Sequence, residues 1–298
     1  MAKIFLKIPF VITSIIANFA QNAAVMNYTL NCRGRLLSLE EPQVMGILNV
    51  TPDSFYAGSR VQTEQEVARR VHEVMQQGGR VIDVGACSTR PGSAPVSQQE
   101  EMGRLRTALA VARREQPDAI LSVDTFRPDV ARMAVEEYGA DIINDVGAPA
   151  SAPDQASRIP MFRMVARLGV PYVLTSTKPD LRQTLLFFAE DVQRLRDMGQ
   201  KDIVLDPGFG FGKTMEENFR LMDELDCLLV MELPLLVGIS RKSMIYKTLG
   251  VTPDEALAGS IALNTIALLK GASILRVHDV REAVDCCRMV GQCTTKKH

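Results

Sequence analysis

The sequence lacks the surplus that several common functions require. Its 298 residues carry 34 lysines and arginines against 35 aspartates and glutamates, a net charge of −1. Neutralising many phosphates takes a strong cationic excess on one face, so the balance argues against a nucleic-acid partner and leaves room only for a small anion. Histidine is scarce, with three in the chain, and the six cysteines include no C-x-x-C pair, which leaves little from which to build a zinc cluster. Cys32, Cys87, Cys227, Cys286, Cys287 and Cys293 read as reduced thiols of a cytoplasmic protein. No apolar run reaches the roughly 20 residues of a membrane span. The longest near the start, residues 8–17, is followed by small residues in the outline of a signal peptide. No disulfide framework follows it, so residues 1–25 are read as an N-terminal extension before a domain spanning residues 26–298.

What is present suits one large α/β domain. Hydrophobic residues make up 46% and charged residues 23%, enough to bury a sizeable core. From Val44 onward a short apolar run, a polar or glycine-rich loop and an amphipathic stretch recur. The runs are residues 44–50, 81–85, 119–124, 142–146, 170–174, 202–206, 234–240 and 272–278. Near-continuous apolar strands imply a sheet covered on both faces, hence parallel. Between them, Thr63 with Glu66 three residues later resembles a capped helix start, Val67, Val71 and Val74 recur at helical spacing, and Gly78-Gly79 supplies a stop. Pro128, Pro253 and the segment after Asp180 provide further starts. Eight such units in about 250 residues is the count for a single (β/α)₈ TIM barrel with its site at the C-terminal ends of the strands. Periodicity alone does not show closure, so a doubly wound open sheet is the competing architecture.

The ends of these runs are unusually polar: Asn49, Asp83, Asp124, Asn144-Asp145, Asp206, Ser240 to Ser243, and Arg276 with His278. One such residue is more often a cap or a satisfied loop carboxylate than a functional group. Seven equivalent ends form a ring that capping alone does not explain. Asp124, Asn144 and Asp206 offer acceptors and an amide suited to a flat heterocycle with a row of NH donors. Arg90, Arg276, His278 and Asn49 offer donors for phosphate oxygens, and Asn49 also a neutral oxygen for Mg²⁺. The glycine-rich run 208–213 is one residue short of a nucleotide-binding P-loop, and its phenylalanines are expected to wall an aromatic substrate.

Seven segments together resemble the dihydropteroate synthase family: GILNVTPDSF at 46–55, STRPG at 88–92, SVDT at 122–125, IND at 143–145, LDPGFGFGK at 205–213, GISRKS at 238–243 and RVHD at 276–279. The resemblance runs in order from about residue 26 to the C-terminus. It implies joining of 4-aminobenzoate to (7,8-dihydropterin-6-yl)methyl diphosphate, with loss of diphosphate before the aniline nitrogen attacks. It also implies that Asp124, Asn144, Asp206 and Lys242 hold the pterin, Asn49 contacts Mg²⁺ and diphosphate, and Arg276 and His278 bind the leaving group. Thr89, Arg90 and Pro91 would belong to a loop that closes with the one carrying Asp53 and Phe55. Phe211, Lys242 and Ser243, with Gly238 in the substrate-binding set, would line the aminobenzoate site. A homodimer and sensitivity to sulfonamides are further implications. The neighbouring alternatives are a pterin-dependent methyltransferase and a non-catalytic pterin-binding paralogue; the diphosphate-binding residues speak against the second. Cys87 is read as a packed residue, since this chemistry needs no covalent nucleophile. One departure stands out. Where the family has Met-His-Met-x-Gly, this chain has TSTKP at 175–179, so Thr175 occupies a place where a methionine usually packs on the pterin.

Overall fold

The barrel closes. In a computed structural model of the chain, the described residues are 28–50, 60–87, 96–147 and 158–294. Eight parallel strands form it: β3 (Gln43–Asn49), β4 (Val81–Gly85), β5 (Ile120–Asp124), β6 (Ile142–Asp145), β7 (Tyr172–Thr175), β8 (Ile203–Asp206), β9 (Leu235–Val237) and β10 (Ala272–Val277). Each pairs with its successor, and β10 returns to pair with β3, which excludes the open doubly wound sheet. All eight apolar runs of the sequence are barrel strands. The presumed extension, residues 1–25, lies outside the described residues, as do Asp53, Phe55, Thr89, Arg90 and Pro91.

The helices α1 (Arg60–Gln76), α2 (Gln98–Glu115), α3 (Pro128–Tyr138), α4 (Ile159–Leu168), α5 (Leu181–Asp197), α6 (Met215–Asp223), α7 (Ser243–Leu249), α8 (Leu257–Leu269) and α9 (Val280–Thr294) surround the barrel. Several starts are as the sequence implies. Pro128 opens α3, where its missing N–H costs nothing, and the Asp180 carboxylate accepts the Gln183 N–H to cap α5. Two differ. Helix α1 begins at Arg60, so Thr63 lies inside it, and Pro253 opens a short 3₁₀ turn (Pro253–Glu255) ahead of α8. Val67, Val71 and Val74 of α1 are buried as their spacing predicts. Val74 packs so closely on β3 that a Cβ added to Gly46 would lie 2.6 Å from its Cγ2, so Gly46→Ala would push this helix off the barrel.

One element carries no signal in the sequence. Strands β1 (Thr29–Cys32) and β2 (Arg35–Ser38) form an antiparallel hairpin through Arg33 and Gly34, both left-handed at φ 55 and 89. Leu30, Cys32, Leu37 and Leu39 cluster with Met45, Val81, Ile142, Val173, Val204, Leu236 and Ile274, which face into the barrel. The hairpin therefore plugs the N-terminal end of the barrel, while a separate and larger core fills the space between strands and helices. Arg35 fixes it there, pairing with the Asp141 carboxylate at 2.7 Å.

Candidate active site

Side chains on a strand alternate between its two faces, so the residue two positions after each interior one also faces inward. Moving two places along from Val81, Ile142, Val173, Val204, Leu236 and Ile274 gives Asp83, Asn144, Thr175, Asp206, Gly238 and Arg276. The apolar floor thus gives way in one step to a polar layer, with Asp124 and Asn49 a step higher at the mouth. Asp145 turns outward, accepting the Tyr172 hydroxyl at 2.6 Å, so Asn144 alone of that pair enters the barrel.

Arg276 organises the layer. Its Nε donates to Asp83 Oδ2 at 2.6 Å and its Nη2 to Asp124 Oδ2 at 2.8 Å. Asp83 also accepts from Ser122 Oγ at 2.5 Å and Asn144 Nδ2 at 3.1 Å. Burial works against the Arg276 charge, yet the two carboxylates outweigh it and hold its pKa above the ordinary value. Burial pushes the Asp124 carboxyl upward, with Arg276 opposing and Asp83 reinforcing the shift. Gly238 lies alongside this arginine, and a Cβ there would stand in ordinary van der Waals contact, 3.6 Å from the Cβ of Arg276. Two buried polar atoms of the layer, Asn144 Oδ1 and Thr175 Oγ1, have no hydrogen-bond partner among the described residues.

The β8 turn supplies the next wall. Gly208 is left-handed at φ 71, and a Cβ on it would meet the Ser176 carbonyl at 1.9 Å, so no other residue fits this approach. Asp206 Oδ1 accepts the Gly208 N–H at 2.7 Å. Lys242 donates to the Phe209 carbonyl and stands 4.4 Å from the centre of the Phe211 ring. Burial lowers its pKa to about 8, against the attraction of Asp206. Lys213, likewise lowered to about 8 by burial, donates to Ser176 O at 3.2 Å and Gly208 O at 3.0 Å, tying two βα loops together. Only one of the two phenylalanines faces substrate space. Phe209 is fully buried in the outer core, which corrects the expectation that both wall the site, and Phe211 remains half-exposed. Ser243 is exposed as the first residue of α7, next to Lys242.

On the other side of the mouth lies a cavity of about 440 Å³ whose lining includes Asn49, Arg70, Arg241 and His278. His278 Nδ1 lies 3.1 Å from Ser240 Oγ. Burial, with Arg276 and Arg241 adding repulsion, lowers its pKa to about 4, so at neutral pH the ring is uncharged. A neutral ring accepting at Nδ1 carries its proton on Nε2 and can donate from there. Arg70 Nη2 donates to the His278 carbonyl at 2.6 Å and its Nε to Ile47 O at 3.1 Å. Arg241 grips Asp279 through Nε at 3.1 Å and Nη2 at 2.6 Å. Asp83 and Arg70 are site residues that the sequence motifs do not single out. Asp83 was visible as a polar strand end, whereas an arginine on an amphipathic helix carries no signal of its own. Among the described residues no group of three His, Cys, Asp or Glu side chains could hold a metal. The exposed Asn49 amide oxygen fits an ion that keeps most of its waters and takes its other ligands from phosphate, which is the habit of Mg²⁺. Burial pushes the Cys87 thiol up to about 12, as suits a packed residue and not a nucleophile.

A family model described as "Pterin binding enzyme" matches residues 45–278. The chain is similar to the dihydropteroate synthase of Escherichia coli (strain K12), 38% identical over 270 residues, covering 88% of this chain and 95% of that one. The chain belongs to the dihydropteroate synthase family. Among solved structures it resembles the Xanthomonas albilineans enzyme with 4-aminobenzoic acid, at a TM-score of 0.82 and 35% identity over 91% of this chain and all 100% of that one. The Yersinia pestis enzyme in complex with a sulfonamide drug gives 0.78 and 36%, with 91% and 100% covered. Family membership makes this chain an enzyme, a transferase. No helix of the described residues is long and apolar enough to cross a membrane.

Proposed function

We propose that the mouth of this barrel joins 4-aminobenzoate to (7,8-dihydropterin-6-yl)methyl diphosphate, releasing diphosphate and making 7,8-dihydropteroate for folate synthesis. The observation that carries the reading is the division of the mouth into a buried polar layer for a heterocycle and an adjoining cavity with arginine and histidine donors for an anion. Asp124, Asn144, Asp206 and Lys242 hold the ring. Asp124 and Asp206 also favour positive charge on it, so the pterin methyl cation left by departing diphosphate forms in a matched field. Neutral His278 donates from Nε2, and Arg276, displaced from Asp124 by the ring, offers its guanidinium to the leaving group. Asn49 and the diphosphate oxygens would hold Mg²⁺, which when bound neutralises part of the leaving-group charge.

Phe211, Lys242 and Ser243 form the aminobenzoate site, with the ring against Phe211 and the carboxylate beside Ser243. In this reading Thr89, Arg90, Pro91, Asp53 and Phe55 complete the site from its two loops and exclude water around the cation. The protein works in the cytoplasm, with residues 26–298 as the synthase domain and 1–25 as an extension outside it. It acts as a homodimer: Leu249, Ile261, Ile266, Leu269 and Met289, on α7, α8 and α9, are apolar and exposed, a pattern typical of a covered face. The test is Mg²⁺-dependent release of pyrophosphate from the pterin diphosphate when 4-aminobenzoate is added. Release is expected, with a sulfonamide competing against aminobenzoate. No release by the purified protein overturns the reading, and normal turnover at low aminobenzoate under saturating sulfonamide overturns the assignment of Phe211, Lys242 and Ser243.

A further inference from the structure

We infer that Thr175 is a specificity-determining residue whose hydroxyl hydrogen-bonds the bound pterin directly; this rests on the function proposed above. The placement comes from the barrel. Thr175 ends β7, in register with Asp206 of β8, and shares its inward face with Val173 of the apolar floor. Its backbone is held on both sides: Arg158 Nη2 donates to the Thr175 carbonyl at 3.1 Å, and the next N–H donates to the Asp206 carbonyl at 2.8 Å. The methyl lies beside Gly208, 3.1 Å from where a Cβ on that glycine would stand. The side chain is therefore fixed, fully buried, and carries a hydroxyl without a partner among the described residues.

A buried hydroxyl left unpaired is costly, and the same atom paired by a ligand contributes a full hydrogen bond. On the neighbouring strand β6, Asn144 Oδ1 of the same layer is equally unpaired. Arg276 Nε shares Asp83 Oδ2 with the Asn144 amide, so the guanidinium reaches across the layer as far as Asn144. A heterocycle that takes Asp124 displaces that arginine, and its polar edge then meets the two unpaired atoms of the layer. A hydroxyl donates one hydrogen bond and accepts two, so it can serve a ring nitrogen, a ring carbonyl or a ring NH. A thioether at this place would offer cover without that choice.

The test is calorimetric titration with 6-hydroxymethylpterin, which carries the ring without diphosphate, on the wild type, Thr175→Val, Thr175→Ser and Thr175→Ala. Removing the hydroxyl while keeping the branched shape should weaken ring binding roughly 3- to 10-fold. Thr175→Ser, which keeps the hydroxyl, should stay within about twofold of wild type. Thermal unfolding of ligand-free Thr175→Val should occur at the same or a higher temperature, because an unpaired polar atom has gone, and the KM for aminobenzoate should not move. Equal affinity of Thr175→Val and wild type, or equal weakening in Thr175→Ser and Thr175→Val, would overturn the assignment. Should the valine variant not fold, Thr175→Ala binding as well as Thr175→Ser would overturn it, and weaker binding by alanine would support it. Absence of any pterin binding by wild type would instead count against the proposed function.

Discussion

The two halves of the mouth handle charge in opposite ways. In the buried half, Arg276, Asp83, Asp124 and Asn144 are committed to one another, so a ligand must exchange partners with groups that already have them. In the open half, His278 is kept neutral by its surroundings, while Arg70 donates to the uncharged His278 and Ile47 carbonyls, which leave its charge unneutralised at the edge of an open cavity. The difference teaches that shape and partner exchange select the ring, whereas attraction gathers the diphosphate. Selectivity is therefore built where solvent is absent and capture where it is present.

The largest effect should come from breaking the buried half. Arg276→Met leaves Asp83 and Asp124 buried without their cation, and removing one partner of a buried ionic set costs about 3–5 kcal/mol. Thermal unfolding should fall by on the order of 10 °C. Arg70→Met, which removes hydrogen bonds to two carbonyls from a half-buried helix residue, should cost about 1–2 kcal/mol. Equal shifts in the two variants would erase the distinction between the halves.

How much of this was legible in the sequence follows the same division. The strands were readable because burial on both faces leaves continuous apolar runs, and the polar layer was readable because Asp83, Asn144, Asp206 and Arg276 interrupt those runs at matching places. The hairpin was not, because Thr29–Cys32 and Arg35–Ser38 are too short for a clear alternation and turn through Arg33-Gly34, where arginine takes a left-handed conformation without advertising it. Phe209 and Phe211 look alike in sequence, two positions apart. Only the left-handed turn at Gly208 and Gly210 sends the first into the core and leaves the second beside Lys242. Arg70 becomes a site residue by reaching from α1 to the carbonyl groups of Ile47 in β3 and of His278, the residue that follows β10.

A second test concerns protonation. Lys242, at about 8, is charged below that pH and neutral above it, so kcat/KM should show an alkaline limb near pH 8. Stability should run the other way. A lysine depressed in the folded chain leaves the unfolded chain binding more protons between pH 8 and its ordinary 10.5, so ligand-free stability rises through that window. Lys213 shares the shift, and Lys213→Gln separates the two. The limb should persist in Lys213→Gln and vanish, with much of the activity, in Lys242→Gln. Loss of the limb in Lys213→Gln alone would transfer the titration to that residue and leave Lys242 with a packing role over Phe211.

The smallest effect is also the most direct comparison of the halves. Attraction across an open, solvated cavity is screened by salt, whereas exchange of partners inside the barrel is screened little. Between low and roughly 0.5 M salt, inorganic pyrophosphate should lose several-fold in affinity while 6-hydroxymethylpterin changes by less than about twofold. Calorimetry with each ligand alone would show it. If both fell together, the ring half would be as open to solvent as the anion half, and the internal pairing of Arg276 with Asp83 and Asp124 could not be what the pterin displaces.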